Sequence, residues 1–187
     1  MSQTKNQGFT VIELLVAIGI IVLISGIVLA SVRKGEQSLT LDRAAHKVAR
    51  DIRKAADLSL RAEPYTGGGC AGFSGYGIHF DTQNADTKKC YLVYVECGGS
   101  PGYQGQRCDG GGGGVDRQKE VLGFEKGVRI REVNPSPQFN VFFLPPDPTI
   151  FIEPGAVAEG TITLELENDP SQTKTITVNK SGMVDLQ

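Results

Sequence analysis

The residues of this chain most able to do chemistry stand at its start, around one peptide bond and one carboxylate. Residues 1–8, MSQTKNQG, form a short polar leader that contains Lys5 and ends in Gly8. An apolar run follows from Phe9, interrupted by a single acid, Glu13. An ordinary secretory signal has a short apolar core and then a small-x-small cleavage site, which removes the core. Here the polar leader precedes the apolar run, so cutting between Gly8 and Phe9 would leave that run on the mature chain. The cut would also create an α-amino group on Phe9, one helical turn from Glu13. The two could pair within a subunit or between neighbours. An ionised carboxylate deep in a bilayer costs about 2.5–3.5 kcal/mol on insertion scales, so Glu13 needs either such a partner or a position from which it snorkels to the interface.

The apolar run is long enough to span a bilayer, which takes about 20 helical residues. Its context, Gly8-Phe9-Thr10-x-x-Glu13 with Lys5 before and apolar residues to about Val32 after, resembles the class III signal of type IV pilins and type II secretion pseudopilins. The resemblance implies cleavage after Gly8 by a prepilin peptidase and methylation of the new Phe9 amine. It also implies that Glu13 docks on a neighbour's N-terminus during assembly.

The remaining reactive side chains lie beyond the span. Cys70, Cys90, Cys97 and Cys108 are the four cysteines. The positive leader favours a cytoplasmic N-terminus, although Arg33 and Lys34 on the far flank weaken the bias. An exported head would meet an oxidising compartment, and an even cysteine count there reads as two disulfides. Three connectivities are open. Cys70–Cys90 with Cys97–Cys108 is the preferred one, because neighbouring closures would pin the glycine-rich stretches. A zinc site is the rival, but there is no C-x-x-C and His79 is a poor fourth ligand, so no metal is expected. Asp81, Asp86 and Asp109 match no EF-hand spacing, which leaves calcium as an outside alternative. The five-glycine run 110–114 lacks the strand, helix and Lys-Ser/Thr of a phosphate loop and reads as a flexible surface linker. No nucleophile–base set or metalloprotease motif accompanies His46 or His79. The expectation is a non-enzymatic protein without a cofactor.

The elements that must carry these residues follow from periodicity. The span continues without proline to Pro64, so one helix over residues 10–61 is expected. Leu41, Ala45, Val48, Ile52 and Ala55 recur at spacings of four and three and form one apolar face, expected to pack on a sheet. Arg43, Lys47, Arg50 and Lys54 lie on roughly the opposite face. That cationic stripe is a candidate DNA contact, against the plainer reading of a solvated face or one packed on acidic neighbours. The net charge of −2 gives no global attraction to nucleic acid.

After a glycine-rich loop, β-type runs take over at 77–80, 91–96, 128–133, 140–143, 149–152, 161–167, 174–178 and 183–186. Residues 168–172 are expected to link the sixth and seventh as a hairpin loop. The pattern Phe151-x-x-x-Gly155, Gly160-x-Ile162-x-Leu164, Ile176-x-Val178-x-x-x-Gly182-x-Val184 resembles the C-terminal domain of the GspH/FimT type of minor pseudopilin. The Cys70–Cys108 insert does not fit that pattern.

The expected fold is therefore α+β. A long N-terminal helix, transmembrane in its first half, packs on an antiparallel β-sheet domain. The expected segments are a leader at 1–8, a membrane segment at 9–32, an amphipathic helix at 33–62 and a β-rich head at 63–187. The two resemblances imply a structural minor pilin or pseudopilin in the cytoplasmic membrane with its head in the periplasm or outside, assembling with other pilins into a pilus or secretion pseudopilus. Two alternatives stay open: a competence pilin that binds DNA, and a single-span membrane protein that never polymerises.

Overall fold

In the computed structural model, the residues described are 10–67, 70, 72, 74–97, 103–145, 149–155 and 157–187. Helix α1 spans Val11–Leu60, within a residue of the expected ends. Two compact units divide the chain, Met1–Leu39 and Thr40–Gln187. In the first, every Val, Leu and Ile from Val11 to Val28 exposes more than half of its surface, and this stretch is long and apolar enough to cross a membrane.

The second unit holds residues 40–60 of α1 and nine strands: β1 Gly75–Asp81, β2 Cys90–Glu96, β3 Arg117–Gly123, β4 Val128–Asn134, β5 Gln138–Leu144, β6 Thr149–Glu153, β7 Glu159–Leu166, β8 Asp169–Asn179 and β9 Val184–Leu186. They form two antiparallel sheets, one ordered β3-β2-β1-β5-β6 and the other β4-β7-β8-β9. A single core joins them to the helix. Leu41, Ala45, Val48, Ile52 and Ala55 are all buried in it, as their spacing requires. Ile78, Phe80, Tyr91, Val93, Phe139 and Val141 come from the first sheet; Val128, Ile130, Ile162, Leu164, Ile176 and Val178 come from the second. Gly160 lets the sheets approach. A Cβ there would lie 2.2 Å from the Phe139 ring, so any larger residue would displace a fully buried aromatic.

Eight of the strands correspond to the alternating runs in the sequence. β3 was not anticipated: RQKEVLG is charged, alternates between half-buried and exposed, and lies at a sheet edge. The expected 168–172 loop is also corrected. β7 and β8 pair Leu166 with Asp169 and Glu165 with Thr173. The turn itself is therefore only Glu167 and Asn168, and Pro170, Ser171 and Gln172 bulge from β8. A proline cannot donate to a ladder, which explains why the irregularity falls there.

Candidate assembly and head-surface sites

At the start of α1, Glu13 closes on the helix that carries it. Its Oε2 accepts the Thr10 backbone N–H at 3.0 Å and the Thr10 hydroxyl at 2.9 Å, while Glu13 N–H donates to Thr10 Oγ1 at 3.3 Å. This is a Thr-x-x-Glu capping box. It satisfies N–H groups that a helix start leaves without intrahelical partners. The Thr-x-x-Glu spacing is the sequence signal for this cap, while the expected pairing of Glu13 with the Phe9 amine involves a residue outside those described. Gly8 and Phe9 lie outside the described residues.

The joint between helix and sheet contains polar groups as well as the apolar stripe. Asp51 is buried, and its Oδ2 accepts the Tyr91 hydroxyl at 2.7 Å. Burial, followed by that hydrogen bond to the carboxylate, holds the Tyr91 phenol well above its ordinary pKa. About two helical turns later, buried Ser59 accepts the backbone N–H of Tyr76 at 2.8 Å, fastening the helix end to β1. Neither residue stood out in the sequence, because a buried Asp or Ser on a helix has no pattern of its own.

The four cations of the expected stripe are engaged within the head. Arg43 lies 3.7 Å from Glu125 and Arg50 3.7 Å from Asp51, and Lys54 lies 2.6 Å from Glu120 on β3. Lys47 donates to the Gly123 carbonyl at 2.8 Å and stands 5.9 Å from the centre of the Tyr91 ring. Three of these contacts therefore reach β3 or the turn after it, and they tie the flank of the helix to the edge strand.

The cysteines form two disulfides, Cys70–Cys97 and Cys90–Cys108, not the pairing preferred from the sequence. The reason is the hairpin. β1 and β2 run antiparallel with Gly75 opposite Glu96 and Phe80 opposite Tyr91. Cys97 follows the end of β2, at the same end as the entry to β1, so Cys70 meets Cys97. Cys90 opens β2 at the opposite end, about seven residues of extended chain or roughly 23 Å away from Cys97. No rule of nearest neighbours in sequence could see that separation.

Residues 103–116, between β2 and β3, lie over the outer face of the first sheet, with Tyr103 against His79 and Tyr94. Gln106 and Gly112 form a bridge, and Arg107 N–H donates to the Gly111 carbonyl at 2.6 Å. Asp116 accepts the N–H of Cys97 at 3.0 Å and that of Gln104 at 2.5 Å. Glycines 110–114 lie at the surface, as expected of a linker, and Gly112 among them is held in the bridge to Gln106. Under residues 103–116, His79 is 4 % exposed and its Nδ1–H donates to Asn140 Oδ1 at 2.5 Å. Burial lowers the His79 pKa, with the Asn140 bond and the Asp81 charge opposing it. His46, by contrast, is exposed on the helix. Asp81 accepts the Gln83 N–H at 2.7 Å and Asp109 the Gly111 N–H at 2.8 Å, so each closes its own turn. Among the described residues no three His, Cys, Asp or Glu side chains converge to hold a metal ion.

Comparison with known proteins finds a family model that matches, at the N-terminus. The prokaryotic N-terminal methylation motif matches residues 3–29, the stretch that holds the leader, the Gly8–Phe9 bond, the capping box and the apolar helix. No curated protein matches the sequence. Among solved structures, the type IV minor pilin FimU of Pseudomonas aeruginosa PAO1 is similar at 11 % identity and a TM-score of 0.48, over 79 % of this chain and 87 % of that one.

Proposed function

We infer that this chain is a type IV pilin-like structural subunit, made as a precursor and held in a membrane by its N-terminal helix. The observation that carries the reading is a coincidence on one segment. The methylation motif covers residues 3–29, and within it a helix from Val11 to Val28 exposes every aliphatic side chain. An apolar surface exposed on all sides of a helix suits lipid or the helices of other subunits. In this reading a prepilin peptidase cuts after Gly8, the Phe9 amine is methylated, and the subunit leaves the cytoplasmic membrane to join other pilins in a filament. The resemblance of residues 151–184 to GspH/FimT-type domains favours a minor subunit of a pilus or of a secretion pseudopilus.

Glu13 has two roles in sequence. In the isolated subunit its carboxylate caps its own helix at Thr10. On assembly it pairs with the methylated amine of a neighbour, where an unpaired charge is costly enough to fix register. DNA binding finds no added support, because Arg43, Arg50 and Lys54 face carboxylates and Lys47 a carbonyl within the head.

Intact-mass measurement of the protein from its own membrane tests the reading. The mature chain should begin at N-methylated Phe9, and replacing Gly8 by Leu should leave the full precursor. A normally processed Gly8→Leu variant would overturn the assignment. Glu13→Leu should insert in the membrane at least as well as wild type yet enter filaments poorly; equal incorporation would remove the pairing role.

A further inference from the structure

We propose that residues 103–116 form a latched lid over the outer face of the first sheet, with Tyr103 as its seat and the Cys90–Cys108 disulfide as its latch. The outer face is unusual for a covered surface because it is polar. His79, Asn140 and Glu96 are buried there beside Leu92 and Tyr94. Tyr103 closes over it, its ring centre 4.5 Å from that of His79 and 4.7 Å from that of Tyr94. Burial pushes the Tyr103 phenol up to about 12. The Tyr94 ring in turn lies on the backbone of Gly77, where a Cβ would come within 2.4 Å of it. Its hydroxyl is buried and has no hydrogen-bond partner among the described residues. A buried donor left unmade is uncommon in a settled core. It is explained where the surface above it lifts and lets water or a partner reach it.

The lid cannot hold itself down by packing. Residues 110–114 are all glycine, and Tyr103 is its one aromatic side chain seated on the sheet. What fixes it is one covalent bond in its middle and a few hydrogen bonds, among them those of Gln118 on β3 to the Gln106 and Arg107 carbonyls. Cys108 is joined to Cys90 at the start of β2, and Asp116 is bonded to the N–H groups of Cys97 and Gln104. The two disulfides are not equivalent. Cys97 is buried and its partner Cys70 partly buried, whereas Cys90 and Cys108 are both only partly buried, so the latch is the bond that a reductant can approach from either sulfur. A dithiol reductant opens it by exchange. One thiolate attacks Sγ of Cys90 or Cys108, giving a mixed disulfide and releasing the other cysteine. The second thiol of the reductant then attacks the reductant's own sulfur in that mixed disulfide and displaces the remaining cysteine as its thiolate. The reductant ends as a disulfide and the two cysteines as thiols, with two electrons and two protons transferred. Cys70–Cys97 stays closed and keeps the β1–β2 hairpin in register while the lid swings from its remaining attachment.

The test uses the full chain in detergent micelles, as the Cys90→Ser/Cys108→Ser double variant and as wild type treated with dithiothreitol. Diethyl pyrocarbonate modifies accessible imidazoles, and exposed His46 in the same molecule is the internal standard. Opening the latch should raise the modification rate of His79 at least tenfold relative to His46. Hydrogen exchange should increase in 103–116 while β5, β7 and residues 40–60 keep their protection. Tyr103→Ala, with the latch intact, should expose His79 to a similar degree. Unchanged protection of His79 in the double variant overturns the latch, and unchanged protection in Tyr103→Ala overturns the seat. Loss of protection throughout the head would make the disulfide a staple of the whole fold and also overturn the proposal.

Discussion

Helix α1 places two carboxylates in opposite circumstances, and the difference separates its two halves. Glu13 lies in a stretch where every aliphatic side chain is exposed, and among the described residues it bonds to its own first turn. Asp51 lies where one stripe of the helix is buried, and it bonds to a tyrosine forty residues away. In the first stretch apolar residues surround the helix, so no single face can be satisfied by a sheet. A helix that is apolar all round needs lipid or other helices. In residues 40–60 the apolar positions recur at three and four, and the flanks carry cations that reach β3. One secondary structure thus serves two solvents, and side-chain pattern alone assigns each half to its own.

The strongest way to break that division is to put the same charge in each half. Ile52 is 1 % exposed in the core. Ile52→Asp buries an unpaired carboxylate and should destabilise the head by about 3–5 kcal/mol, enough to unfold it. Thermal melts of the full chain in detergent check this. An unchanged melting temperature would mean the stripe does not pack on the sheets. Ile20→Asp, near the middle of the apolar stretch, should leave that melt untouched. It should instead weaken membrane insertion by about 2.5–3.5 kcal/mol, read as the fraction of protein released by alkaline carbonate. A variant that both melts early and stays in the membrane would contradict the separation of roles.

How legible this was in the sequence depended on whether a residue's role is periodic. The stripe from Leu41 to Ala55, the apolar run and most strands announce themselves by spacing, because burial acts on every turn or every second residue. The N-terminal context was legible for another reason: its chemistry is compressed into six residues, from Gly8 to Glu13. What stayed hidden depends on pairs distant in sequence. β3 forms because β2 offers it an edge, not because RQKEVLG prefers extension. The disulfide partners follow from which end of the β1–β2 hairpin each cysteine occupies. The flap over His79 required knowing that the outer face of the sheet had to be covered. Asp51 and Ser59 look like surface polar residues until Tyr91 and Tyr76 are placed opposite them.

Asp51 gives the sharper test of that last point. Asp51→Ala leaves the Tyr91 hydroxyl buried without its acceptor, which should cost about 1–3 kcal/mol. Adding Tyr91→Phe removes the stranded donor and should recover part of the loss, even though the double variant lacks both polar groups. Chemical denaturation of the single and double variants measures the coupling. Additive losses would show that the two groups do not depend on each other.

The smallest expected effect lies one residue away. Arg50 contacts the same carboxylate, at 3.7 Å, but its side chain is 74 % exposed. At that exposure the attraction is screened by solvent, and holding a long side chain in place costs entropy. Arg50→Ala should therefore change stability by about 0.5 kcal/mol or less, and raising the salt concentration should leave the wild-type melt nearly unchanged. The argument turns on Asp51 having two partners of unequal worth. If the carboxylate is held by the buried phenol, loss of Arg50 passes unnoticed and loss of Tyr91 does not. If Arg50→Ala costs as much as Asp51→Ala, the guanidinium is what makes the buried charge tolerable. The lower helix would then be fastened by an ion pair at its surface rather than by a hydrogen bond inside it.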